Sequence, residues 1–187
     1  MIRKGCVVAL CVLLTAVGAW AVEIGGILMP DSLALDGHTL VLNGAGLRKK
    51  MFISVYAGGL YLTDRETDPI KIQEADEPMA IRMHFLHDRV SKDSLVNAWK
   101  EGFEHAAPDP SPSLKERMDR FNACFREDAR KGDVYEIRYL PGRGAGLSLN
   151  QTEVETLPGL DFKKAVFGIW LGEKPADAKL KKGMLGR

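Results

Sequence analysis

The apolar positions of this chain change period several times, and each change marks an element. From Met51 to Leu62, Met51, Ile53, Val55 and Ala57 alternate with Phe52, Ser54 and Tyr56, the period of a strand with two different faces. Ala80 to Leu86 alternates likewise, with Ile81, Met83 and Phe85 on one side and Arg82, His84 and Leu86 on the other. Short strands are predicted over Val22 to Met29 and Thr39 to Leu42, separated by turn chemistry at Pro30-Asp31 and Asp36-Gly37. Two more, Val134 to Leu140 and Gly146 to Asn150, are joined by P-G-R-G-A-G. Elsewhere the period is helical. Leu95, Trp99 and Phe103 recur every four positions behind Ser91, which can cap free amides. A second helix, from about Ser113 to Asp128, carries Met118, Phe121, Cys124 and Phe125. A third, Asp161 to Leu171, puts Phe162, Ala165, Val166, Ile169 and Trp170 on one side. Asp68 to Ala75 is a short helix ended by Pro78, and the tail with Lys179, Lys181 and Lys182 reads as a solvated end.

Strands, then helices, then strands, then a helix predict an α+β fold: a mainly antiparallel sheet with a layer of helices on one face. Gly58 and Gly59 interrupt the strand that carries Tyr56. Glycines there weaken a strand, so they mark a bulge or the close approach of another group.

The first 21 residues read as an export signal. Arg3 and Lys4 supply positive charge, Val7 to Val17 an apolar core, and Ala19-Trp20-Ala21 a small-x-small cleavage site. The rival reading is an uncleaved anchor, although the apolar run is shorter than the roughly 20 residues that a span requires. The expected organisation is therefore a signal over 1–21 and one domain over 22–187, in a periplasmic or secreted protein. Without Arg3 and Lys4 the 26 basic residues fall to 24 against 25 acidic ones, a net charge near −1. That balance gives no electrostatic reason to expect nucleic acid. Cys6 and Cys11 leave with the signal, so Cys124 has no partner for an internal disulfide and reads as a buried thiol.

Arg48 is the main candidate for chemistry. A guanidinium stays charged and offers a planar fork of donors that matches a carboxylate or an enolate oxygen. The plainer reading is a surface arginine in a basic triplet with Lys49 and Lys50. Tyr56 is the natural second donor, but eight residues of straight strand span roughly 26 Å, so the two can meet only if the chain bends, with Lys49 to Met51 the expected place. His84 and His87, three apart, would fall on opposite faces of a strand, and no Cys/His cluster is present, so no metal site is expected. Gly142, Gly144 and Gly146 join two strands rather than opening a helix, which makes them a hairpin turn and not a phosphate loop.

The stretch N-G-A-G-L-R (Asn43 to Arg48), the V-Y-A-G-G-L-Y-L strand, the I-x-M-x-F strand (Ile81 to Phe85), the N-A-W-K-E-G-F helix (Asn97 to Phe103) and the closing F-G-I-W-L-G segment (Phe167 to Gly172) together resemble the exported bacterial branch of the chalcone isomerase-like family. The resemblance covers most of residues 22–187 and implies an open-faced β-sandwich with an anion-gripping arginine, Arg48, just past a glycine-rich bend. Plant chalcone isomerases combine that arginine with a threonine, a tyrosine and an asparagine. By alignment, Tyr56 stands at the threonine position, His87 near the tyrosine and Ser94 at the asparagine. Only Arg48 survives, and ring closure needs proton handling as well as an oxyanion partner, so the resemblance argues against chalcone turnover. Fatty-acid-binding members keep the arginine and have a tyrosine at the threonine position. The reading that follows is a non-catalytic binder of an amphipathic carboxylate such as a fatty acid, with Arg48, Tyr56, His87 and Ser94 as ligand-binding candidates, no catalytic residue and no required cofactor. Two alternatives stay open. One is an isomerase of the intramolecular lyase type acting on an unsaturated or phenolic substrate. The other is a haem-binding protein, with His84, His87 or His105 as axial ligand or Arg48 on a propionate, although no c-type attachment motif is present.

Overall fold

The computed structural model describes residues 22–187; the expected export signal over 1–21, with Cys6 and Cys11, lies outside the described residues. Val22–Ile24 (β1) and Ile27–Met29 (β2) form a small hairpin turned by Gly25 and Gly26, both at positive φ, where a single strand was expected. Ser32–Leu35 (β3) pairs with His38–Lys50 (β4) across the Asp36-Gly37 turn. β4 runs directly into Ile53–Leu62 (β5). After the short helix Pro69–Glu74 (α1), capped by the Asp68 carboxylate, comes Met79–Phe85 (β6). Arg89–Val90 (β7) leads into Lys92–Ala106 (α2), whose N-terminus is capped by Ser91 as expected. Pro112–Ala123 (α3), capped by Ser111, ends five residues short of the expected boundary, because the chain leaves it to pair Ala129–Arg130 (β8) with β7. Val134–Leu140 (β9), Gly144–Leu149 (β10) and Thr152–Leu157 (β11) form a meander, with the Pro141–Arg143 turn where the glycine-rich stretch predicted one. Leu160–Leu171 (α4) and Ala178–Met184 (α5) end the chain.

The main sheet has seven antiparallel strands in the order β11-β10-β9-β6-β5-β4-β3, curled into a half-barrel. One face buries the large core, built from Tyr56, Leu60, Ile81, Met83 and Phe85 on the strands, Trp99, Phe103, Phe121 and Phe125 on α2, α3 and the segment after it, and Phe162, Phe167 and Trp170 on α4. α4 lies innermost, buried all round, and α2 and α3 pack against it. The opposite face carries a thinner cluster of Met29, Leu35, Leu40, Leu42, Ala57, Tyr61 and Ala80, partly covered by the β1–β2 hairpin. The α+β reading, the single-faced helix layer and the alternation of β5 and β6 all hold.

Two expectations are corrected. The glycine-rich segment Asn43–Gly46 is not a bend but the middle of β4. A Cβ on Gly44 would stand 2.2 Å from the Gly183 carbonyl oxygen, and one on Gly46 would stand 3.4 Å from the Leu180 Cα. These glycines let a helix lie directly on the strand, and that helix is the second correction. The tail is not a solvated end: α5 buries Leu180, Met184 and Leu185, exposes Lys179 and Lys182, and half-buries Lys181, whose ammonium donates to the Gly172 carbonyl at 2.8 Å; Asn43 ties the helix down by donating to the Met184 carbonyl at 2.9 Å.

Candidate functional site

β4 and β5 are joined by a two-residue turn, Met51-Phe52, so the chain reverses immediately after Lys50. Because of that reversal Arg48 and Tyr56 are cross-strand partners with their side chains on one face, the helix-covered one. The reversal answers the separation that a straight strand would impose, close to the place expected. A register shift between Arg48 and Lys49 leaves Val55 as an extra residue opposite them. The Val55 carbonyl accepts from Leu86 and His87 at 2.9 and 3.3 Å. Such bulges re-aim side chains at a strand end.

Tyr56 is buried, and its hydroxyl oxygen accepts from the Trp170 indole Nε1–H at 2.9 Å. That leaves the hydroxyl's own proton free for a further acceptor. Burial pushes the phenol up to about 12; the Trp170 hydrogen bond and the Arg48 charge pull the other way, and Asp177 adds to the rise. Tyr56 is therefore a neutral donor across the physiological range and not a base.

Arg48 spends one Nη1 hydrogen on the carbonyl of Lys49 at 2.9 Å and meets the Asp177 carboxylate at 3.6 Å. Asp177 is the N-cap of α5 and accepts from the backbone N–H of Lys179, Leu180 and, across to β4, Lys49. Desolvation pushes this carboxyl up, but those three amides and the Arg48 charge hold it below the ordinary range, so it stays ionised. Arg48 thus already carries a carboxylate, donated by the chain itself, in a loose contact that uses few of its five donors. The space beside the pair is filled: Met184 Cε and Leu180 Cδ1 would lie 3.0 and 3.3 Å from a Cβ on Gly58.

The other sequence candidates do not converge on Arg48. His87 is half-buried in the loop after β6 and reaches the neighbourhood through its backbone N–H on Val55. Ser94 is exposed in the first turn of α2, where its hydroxyl accepts from Ser91 at 2.9 Å. His84 pairs with Ala57 and so faces the opposite side of the sheet from Tyr56, and His105 is exposed near the end of α2. For haem, the described residues bring no histidine to Arg48's face of the sheet edge with a cavity beside it, so these residues do not fit that group. Among the described residues there is no group of three metal-ligating side chains. Two clefts are described, of about 370 and 290 Å³. They flank α1 and have mixed polar and apolar walls, and neither is lined by Arg48 or Tyr56.

Two participants escaped the sequence reading. Trp170 was legible only as an inward apolar position; nothing local says that its indole meets Tyr56, 114 residues earlier. Asp177 had a usable signal, an acid just before a helical stretch, which was obscured by the neighbouring lysines.

Lys163, wholly buried on α4, is a second enclosed cation. Its ammonium donates to the carbonyls of Ile72, Gln73 and Ala75 at 2.7, 2.9 and 2.7 Å and so caps the C-terminus of α1. Desolvation pulls it down to about 8, helped by Lys164 and opposed by Asp76, Glu74 and Glu77.

Comparison with known proteins agrees with this architecture. The chain matches the fatty-acid binding protein of Arabidopsis thaliana, seen in a crystal structure, with a TM-score of 0.71 and 20% identity over 86% of this chain and 92% of that one. Curated protein sequences give no match. The profile of the chalcone isomerase-like family matches residues 21–186, nearly the whole chain. This chain therefore belongs to the chalcone isomerase-like family.

Proposed function

We propose that this protein binds an amphipathic carboxylate, such as a fatty acid, with Arg48 and Tyr56 on the carboxylate and the acyl chain between the sheet and α5. The observation that carries the reading is the cross-strand Arg48–Tyr56 pair with the chain's own carboxylate, Asp177, resting on the arginine. A ligand carboxylate takes the place of Asp177, gaining a charge-assisted contact from Arg48 and the free hydroxyl proton of Tyr56. The acyl chain replaces Leu180 and Met184 against the glycine-floored strands, so binding requires α5 to lift. The fold likeness to a fatty-acid binding protein supports the same ligand class. Isomerase chemistry, with Tyr56 or His87 moving a proton, has less support, because Tyr56 holds its proton up to about 12 and His87 meets this end of the sheet through its backbone N–H on the Val55 carbonyl. Residues 1–21, read as an export signal, favour a periplasmic or secreted location, and the mass of the protein purified from its native source tests that reading.

The test is affinity for a long-chain fatty acid, with hydrogen exchange followed in α5. Binding that weakens in Arg48→Ala and speeds exchange in α5 supports the reading. Binding unchanged in that variant, together with no lipid recovered from the protein purified from its native source, overturns it.

A further inference from the structure

The β4–β5 turn carries three consecutive exposed apolar side chains, Met51, Phe52 and Ile53, at 86%, 95% and 50% exposure. Among the described residues, the other large exposed apolar side chains, Val22, Leu28, Ile70 and Val154, are not adjacent to one another in sequence. Met51 adopts φ +56°, a left-handed conformation that glycine, asparagine or aspartate takes at least cost in a two-residue turn. An apolar side chain thus stands where turn geometry alone calls for a small or polar one. Lys49 and Lys50, both exposed, precede the apex directly, and Arg48 lies one position further back. Of the acids near this end of the hairpin, Asp177 is engaged with Arg48 and three backbone amides, and Asp88, in the loop beside Val55, is exposed.

We infer that this apex is a wedge that docks the protein on an anionic lipid surface, with Met51, Phe52 and Ile53 entering the headgroup boundary and Lys49 and Lys50 on the lipid phosphates. The chemistry matches on both counts. Apolar residues at the interface gain by burial, and lysines beside them gain from the negative surface potential. Size separates this occupant from a folded protein partner or a second copy. A stable protein interface buries about 800 Å² on each side, and three side chains on a two-residue apex supply only a fraction of that. A lipid surface needs no more than a shallow insertion. The distance from the apex back to Arg48 is about 10 Å of strand, so a docked wedge would hold the Arg48–Tyr56 end of the sheet at the membrane. The inference stands without the fatty-acid reading, since it uses none of that site's chemistry.

The experiment places a reporter at the apex. In the full chain carrying Phe52→Trp, at a position so exposed that the fold should tolerate it, the emission added over the parent protein reports position 52 alone and not the leader. With vesicles of phosphatidylglycerol and phosphatidylcholine, that added emission should shift to the blue and be quenched by brominated acyl chains. The shift should be lost when Lys49→Glu and Lys50→Glu are added. Emission that stays water-exposed with these vesicles overturns the inference, and so does an equal shift with phosphatidylcholine alone. A blue shift without vesicles that grows with protein concentration assigns the apex to a second copy and likewise overturns it.

Discussion

Lys163 and Arg48 are both cations set against the same apolar core, yet they do opposite things. The Lys163 ammonium has three hydrogens and three carbonyl acceptors, all supplied by the end of α1, so its capacity is exhausted. Arg48 has five donors, of which one is spent on Lys49 and a loose contact goes to Asp177. Burial follows the same division, with Lys163 wholly enclosed and the Arg48 side chain 26% exposed. A buried cation whose partners are all built in is a structural rivet. One held by a single carboxylate at 3.6 Å, with donors to spare, is the cation that the proposed ligand would claim.

The sharpest test of that contrast is Lys163→Met. It leaves three carbonyls at the end of α1 without donors, and the expected loss is about 3 kcal/mol or more of stability in chemical denaturation, with ligand affinity unchanged in the protein that remains folded. A loss of affinity with stability intact would make Lys163 a binding residue and erase the distinction.

Alkaline titration probes the Arg48 side. The Tyr56 phenol ionises at about 12 when folded and near 10 when unfolded, so its contribution is complete below pH 10 and is lost as pH rises through about 12. The loss amounts to roughly 2–3 kcal/mol, and Tyr56→Phe should remove it from the alkaline slope of unfolding free energy. All four tyrosines are buried with raised pKa values, so the folded protein should show little tyrosinate absorbance at about pH 10, where free tyrosine is half ionised.

Gly44→Ala tests whether α5 is truly seated on the sheet. The added methyl meets backbone at 2.2 Å and must push α5 away, costing about 2 kcal/mol in thermal or denaturant unfolding. Faster exchange in α5 and unchanged exchange in α1 would keep the two cation sites separate. Arg48→Ala should weaken carboxylate binding about tenfold while changing stability by under about 1 kcal/mol, because the half-buried pair it breaks is loose, at 3.6 Å. The smallest expected effect is the most specific. Asp177→Asn keeps an oxygen to cap α5 but removes the competing charge, so carboxylate affinity should rise about threefold by calorimetry. A fall in affinity would mean that Asp177 holds the site together instead of blocking it.

Much of this molecule could be read locally. Alternation fixed the faces of β5 and β6, so period alone put Tyr56 and Phe85 on faces opposite to Ala57 and His84. Ser91 and Asp68 announced their helices, and the glycines of β5 announced a close approach. What misled was chemistry whose meaning lies elsewhere in the chain. Asn43–Gly46 looked like a bend because glycine favours turns, but here the missing side chains serve α5, more than 130 residues away. The tail looked solvated because its three lysines are interleaved with the apolar residues that hold it. β11 went unread because three of its six residues are exposed and its alternation is faint.

The sequence by itself determined the class of fold and the faces of β5 and β6, because those follow from period and capping within short windows. The family resemblance singled out Arg48 with Tyr56, since residue type alone makes Arg48 a surface arginine beside two lysines. Only the tertiary structure decided that the two are cross-strand partners, that Trp170 fixes the tyrosine, and that Asp177 and α5 close the site. A hairpin register and a helix seated on glycines are set by contacts between distant segments. No local pattern encodes which carboxylate, the chain's own or a ligand's, the arginine will hold.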